Sequence, residues 1–193
     1  MDFNNILKNV SKHITLDKSE IDYFTSKLTY LEVPKKKLLL KEGQPCNVIS
    51  YVNTGALRAY YLDQQDNESV IMFALNDWWV TDMHAFVMEQ PALLTIDSIE
   101  DSTLFQLQKK ELDQLYIKVP KFERFFRIMM QNSYVREQLR VVQNLSLSAD
   151  DRYQLFLKKY PQVIQRVPLK HIASYLGITP EFLSVIRKKG ISK

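Results

Sequence analysis

Residues 168–189 read PLKHIASYLGITPEFLSVIRKK. Two helical runs meet at a glycine. Leu169 to Leu176 make the first, Gly177-Ile178 a tight turn, and Thr179 opens the second. Threonine is a good N-cap, and Pro180 follows at the first helical position, where no N–H is missed. Gly177 suits a turn residue with positive φ. Ala173 is small where two helices must cross closely. Ile172, Leu176, Ile178, Leu183 and Ile186 supply the apolar faces that clamp the pair. The pattern reads as a helix-turn-helix, whose second helix enters a DNA major groove. The alternative is a helical hairpin inside some other core. The joint spacing of small residue, glycine and apolar positions argues against it.

Charge supports this reading. The whole chain of 193 residues carries +4. From Arg152 onward there are nine Lys or Arg and one acid, Glu181, a balance of +8; the remaining 17 basic and 21 acidic residues leave −4 on the rest. A basic C-terminal piece on a mildly acidic body suits phosphate neutralisation, although a basic patch alone is usually only a solvated face. The length allows one large domain or two small ones. No apolar run is long enough to span a bilayer, and the N-terminus lacks the apolar stretch of a signal peptide. Cys46 is the only cysteine, so neither an internal disulfide nor a four-cysteine cluster within one chain is available. A reduced, cytoplasmic setting is expected, with no membrane partner.

The preceding chain falls into three stretches. Residues 3–31 read as helical, with Asp17 or Thr15 capping the second helix. From Glu32 to about Leu107, short β-branched, aromatic and leucine runs alternate with turns at Gly43, Gly55 and Asp63–Asn67. This predicts an antiparallel jelly roll. No GxGxxG or GxxxxGK occurs, so folds that hydrolyse nucleotides on glycine-rich loops are discounted. From Lys109 the pattern is helical again, with a long helix from about Pro120 to Asn144. Phe125, Ile128, Asn132, Val135, Leu139 and Val142 step by three and four, the seam of a two-stranded pairing with a polar residue fixing its register. A second stripe of Phe122, Phe126, Met129, Met130 and Ser133 would pack on the jelly roll. The alternative is a helix buried in a monomeric core. Ser148 opens a further helix ending near Tyr160-Pro161, and Val163–Val167 reads as a short strand or wing.

This order of parts resembles the cyclic-AMP receptor protein (CRP/FNR) superfamily of bacterial transcription regulators, over nearly the whole chain. The most similar stretches are KKKLLLKEGQPCNVISYVNTGALRAYY and VPLKHIASYLGITPEFLSVIRKK, the latter similar to Bacteroidetes-type members. The resemblance implies an α+β chain. Residues 1–118 would be N-terminal helices and a cyclic-nucleotide-binding-type β-roll, 119–145 a dimerisation helix, and 146–193 a winged helix-turn-helix. It implies a homodimer that binds double-stranded DNA and works with RNA polymerase. Glu181, Ser184 and Val185 would face bases, and Lys170, Thr179, Arg187, Lys188 and Lys189 phosphates.

Departures from the family bear on mechanism. The run NDWWVTDMHAFVMEQPALLTIDSIEDSTL looks like its phosphate-binding cassette, which in nucleotide-binding members carries Gly-Glu and, about ten residues on, Arg-Ser or Arg-Thr. Thr81-Asp82 stands at the first place and Ala92-Leu93 at the second. Asp82 can still hold a ribose, but nothing near Ala92 neutralises a phosphate, and a buried unpaired phosphate is costly. Cyclic AMP in the usual mode is therefore not expected. Thr81, Asp82, Met83, His84, Ala92, Leu93 and Leu94 are the pocket candidates, for an apolar ligand or simply as filled core. His13, His84 and His171 lie in three different parts of the chain, so no metal site, cofactor or enzyme site is read. On the second helix, Val185 stands where the family commonly has a base-reading Arg. The competing readings are a cyclic-nucleotide or small-ligand sensing module acting on a protein partner, and a jelly-roll enzyme.

Overall fold

The computed structural model describes residues 1–191, with side chains described through Lys188. Two short helices lead in, α1 (Asn4–Ser11) and α2 (Lys18–Ser26). Asp17 caps α2 in a capping box with Glu20. Eight strands follow: β1 (Thr29–Val33), β2 (Leu38–Leu40), β3 (Val48–Thr54), β4 (Ala56–Leu62), β5 (Glu68–Leu75), β6 (Trp79–Val80), β7 (Thr95–Ser98) and β8 (Ser102–Gln108). A short helix, α3 (Met83–Met88), interrupts them between β6 and β7. Then come α4 (Lys109–Lys118), the 26-residue α5 (Lys121–Ser146), α6 (Ala149–Lys159), α7 (Pro161–Arg166), α8 (Leu169–Leu176) and α9 (Pro180–Ile191).

The strands form two antiparallel four-stranded sheets, in the orders β1-β8-β3-β6 and β2-β7-β4-β5. Gly55 turns β3 into β4 at φ +102°; a Cβ there would collide with Ser102, so only glycine fits. Strand alternation then sorts side chains into three cores. Leu57, Ala59 and Ala74 meet Val52 and Leu104 between the sheets. Ile49, Tyr51, Phe105 and Leu107 face outward from the first sheet onto α1, α2, α4 and the start of α5. Ala56, Tyr60, Val70 and Phe73 face outward from the second sheet onto the C-terminal helices. Both faces of β4 are covered, which explains its continuous burial from Ala56 to Tyr60.

Two expectations are corrected here. Residues 29–31 are strand, not helix, because β1 pairs with β8. Val163–Val167 is not a wing: Pro161 starts α7, and among the described residues no strand follows Gln108. Proline at the first helical position and burial of Val163 and Val167 under α8 hold this segment helical.

Candidate DNA interface and effector cleft

The helix-turn-helix is built as its spacing requires. Gly177 takes φ +67°, and its N–H and that of Ile178 reach the Ser174 and Ala173 carbonyls. Thr179 Oγ1 accepts the Phe182 N–H at 3.2 Å. Leu183 and Ile186 turn inward onto Ile172, Ala173 and Leu176. Thr179, Glu181, Phe182, Ser184, Val185, Arg187 and Lys188 are left exposed along α9, and Lys170 on α8. Ser184 Oγ donates to the Pro180 carbonyl at 2.9 Å, so its proton is already engaged. Lys189, expected as a phosphate contact, lies outside the residues whose side chains are described.

The supporting helix α8 is anchored on the second sheet. Arg58, only 7% exposed, sends Nε and Nη2 to the two oxygens of Asp97 at 2.8 Å each, and Nη2 to Glu68 Oε1 at 3.0 Å. Its Nη1 lies 2.7 Å from His171 Nδ1 on α8. Arginine only donates, so Nδ1 accepts and His171 is neutral with its proton on Nε2. Burial, with Arg58 and Lys170 nearby, pushes the imidazole down to about 4. Beside it Ser174 Oγ accepts from Val70 N at 2.9 Å and donates to Glu68 O at 2.6 Å. With two carboxylates holding it, Arg58 is not free to pair with a phosphate.

The cassette is closed on itself in a similar way. Asp82 is 1% exposed. Its Oδ1 accepts from Ala85 N at 3.1 Å and caps α3; its Oδ2 accepts from Leu93 N at 2.7 Å and Leu94 N at 2.9 Å. One carboxylate therefore pins both ends of the loop, and three of its lone-pair sites are taken by the loop's own amides. Thr81 Oγ1 donates to Val48 O at 2.8 Å. A cleft of about 520 Å³ lies between this loop and α5. Thr81, Asp82, Met83, His84, Leu93 and Leu94 line it, together with Trp78, Trp79, Met129 and Met130. Ala92, 2% exposed, sits in the core between the sheets rather than on the cleft wall. Arg136, also on the wall, donates to Ser133 Oγ at 2.9 Å and lies over the Trp78 ring.

Residues 30–118 match the family model of the cyclic nucleotide-binding domain. The fold is that of the CRP/FNR regulators. The solved structure of the c-di-GMP responsive global regulator CLP of Xanthomonas campestris superposes with a TM-score of 0.74 at 17% identity, covering 91% of this chain and 92% of that one. A structure from Eubacterium rectale assigned to the CRP/FNR transcriptional regulators gives a TM-score of 0.70 at 16% identity, covering 92% and 85%. The anaerobic regulatory protein of Pasteurella multocida (strain Pm70) is 22% identical over 182 residues. The match takes in 88% of this chain and 66% of that protein, so the chain spans just under two thirds of that relative's length.

Within this CRP/FNR fold, α5 divides the seam expected to face a partner. Phe125 is fully buried, in edge-to-face contact with Phe122, Phe126 and Trp79, and is removed from that seam. Ile128 is half-buried. Asn132, Val135, Leu139 and Val142 are exposed. Phe122 and Phe126 pack on the roll as the second stripe requires. Among the described residues no helix is long and apolar enough to cross a membrane, and no group of three His, Cys, Asp or Glu side chains is placed to hold a metal ion. Sequence reasoning missed Phe182 and the Arg58–His171 contact. Helical phase offered a signal for the first: with Leu183 and Ile186 inward, Phe182 and Val185 share the next face.

Proposed function

We propose that this chain is a homodimeric, DNA-binding transcription regulator whose β-roll does not take cyclic AMP in the usual mode. The observation that carries the reading is α9: a capped helix held by Leu183 and Ile186, with Glu181, Ser184, Val185, Arg187 and Lys188 exposed along its length. Residues 1–118 are the sensing part, 119–145 the pairing helix and 146–193 the DNA-binding part. The exposed stripe of Val135, Leu139 and Val142, continued from Ile128 and Asn132, supports pairing through α5. RNA polymerase and a cytoplasmic setting follow from the regulator role.

Two features support setting cyclic AMP aside. Asp82 already takes the loop amides of Leu93 and Leu94, and the buried Arg58 is paired with Asp97 and Glu68. Among the described residues, the guanidinium on the cleft wall, Arg136, is already paired with Glu137 and donates to Ser133, so a cyclic phosphate would have to displace those partners. The cleft lining of tryptophan, methionine and leucine suits an apolar effector instead.

The test is selection of duplexes from random DNA by the purified chain. A pseudo-palindrome is expected, with half-sites about one helical turn apart, bound with affinity that falls steeply with salt. Absence of enrichment at any salt concentration overturns the reading.

A further inference from the structure

Phe182 and Val185 stand 48% and 46% exposed on α9. They are three residues apart and so lie one above the other on a single helix face. Leu183 and Ile186, at 0% and 3%, fix the helix rotation, so this apolar pair cannot turn inward. Glu181, Arg187 and Lys188 are exposed around it, within a C-terminal stretch from Arg152 whose balance is +8. Such a surface complements a polyanion with an apolar feature at its centre. In a DNA major groove the only apolar group on a base edge is the C5 methyl of thymine.

Donors on this face are few. Mid-helix, the Ser184 hydroxyl proton is engaged by Pro180 O, whereas Thr179 accepts from Phe182 N and keeps its own proton at the N-terminal end of the helix. The middle of the helix therefore reads by apolar contact, with Glu181 as a hydrogen-bond acceptor beside it. We propose that Phe182 and Val185 are specificity-determining residues, each seated against the methyl group of a different thymine in the half-site. This rests on the reading of α9 as the DNA-contacting helix.

Uracil tests it, because uracil differs from thymine only by the absent methyl. Duplexes recovered by selection are remade with one thymine at a time replaced by uracil, and affinities for the full chain are compared at one salt concentration. Burial of one methyl corresponds to about a fourfold change. The expected result is a loss of about that size at two thymines per half-site. Phe182→Ala should bind the thymine and uracil duplexes equally at one of them, and Val185→Ala at the other. Both side chains are exposed, so the melting temperature should not move. Wild-type protein that binds every uracil duplex as tightly as the thymine duplex overturns the proposal without any variant. So does Phe182→Ala that keeps the full penalty at both positions. Failure to enrich any sequence would instead overturn the DNA-binding reading itself, a distinguishable outcome.

Discussion

The loop from Thr81 to Leu94 and the helix α9 treat their polar and apolar groups in opposite ways. In the loop, Asp82 is buried and its carboxylate accepts three backbone N–H groups, all within residues 82–94. On α9 the side chains that could contact a ligand project into solvent, while among the described side chains only Leu183 and Ile186 are covered. A buried polar group must be satisfied from within, since an unmet donor or acceptor in low dielectric is expensive. An exposed one is met by water and stays free to exchange that water for a partner. The loop is thus built for its own rigidity and the helix for an outside surface.

The largest expected effect breaks the loop. Asp82→Ala would leave the Ala85, Leu93 and Leu94 N–H groups without their acceptor. Destabilisation of about 4 kcal/mol is expected, since bonds to a charged group contribute about 1.5–3 kcal/mol each and are not additive. Urea unfolding measures it. A loss below about 1 kcal/mol, the level of an ordinary surface change, would mean the loop draws its order from elsewhere.

Next comes the joint between the two regions, where β4 and β5 of the roll hold α8. His171 must be neutral to accept from Arg58. Its ordinary value of 6.5 is lowered to about 4 in the folded chain. The unfolded chain therefore binds the extra proton first as pH falls. The stability from this contact is fully present above about 6.5 and is lost as pH falls towards 4. The full difference is on the order of 3 kcal/mol. Glu68, held low chiefly by its hydrogen bond from Arg58, adds a loss at more acid pH. Unfolding measured between pH 7 and 4.5 should show the slope, and His171→Gln should flatten it. An equal slope in the variant would assign it to other groups.

How far each region could be read from sequence follows the same division. The helix-turn-helix was legible because its determinants are local: Gly177, Thr179, Pro180 and the inward Leu183 and Ile186 lie within ten residues of chain. The same holds for the Asp17 capping box. The jelly roll was legible as alternating strands, though not in its sheet order, which depends on pairings such as Val48 with Gln108. The Arg58–His171 contact spans 113 positions and left no local trace. Phe125 misled because seam periodicity fixes a helix face but not what covers it. The first turns of α5 are enclosed by Phe24, Trp79 and Leu115; beyond them Arg136 and Arg140 still touch Trp78, Ile71 and Tyr175, and the face with Val135, Leu139 and Val142 is exposed. Asp82 aligned with a ligand-holding acid, yet the loop's own amides reached it first.

The smallest expected change in stability belongs to the open region and isolates its function. Glu181 is exposed in the first turn of α9, where its charge complements the helix dipole. Glu181→Ala should therefore cost stability only about 0.5 kcal/mol, within the range of surface substitutions. Its effect on recognition should be larger, about 1–3 kcal/mol at a single base position, because a carboxylate accepts from the cytosine N4 amino group and alanine cannot. The signature is a selected sequence that relaxes at one base pair per half-site, with melting temperature and salt slope close to those of the unaltered chain. A uniform loss across all sequences would place Glu181 away from the bases. Relaxation at one position with intact stability would show that the face of α9 is shaped by what it contacts rather than by the fold beneath it.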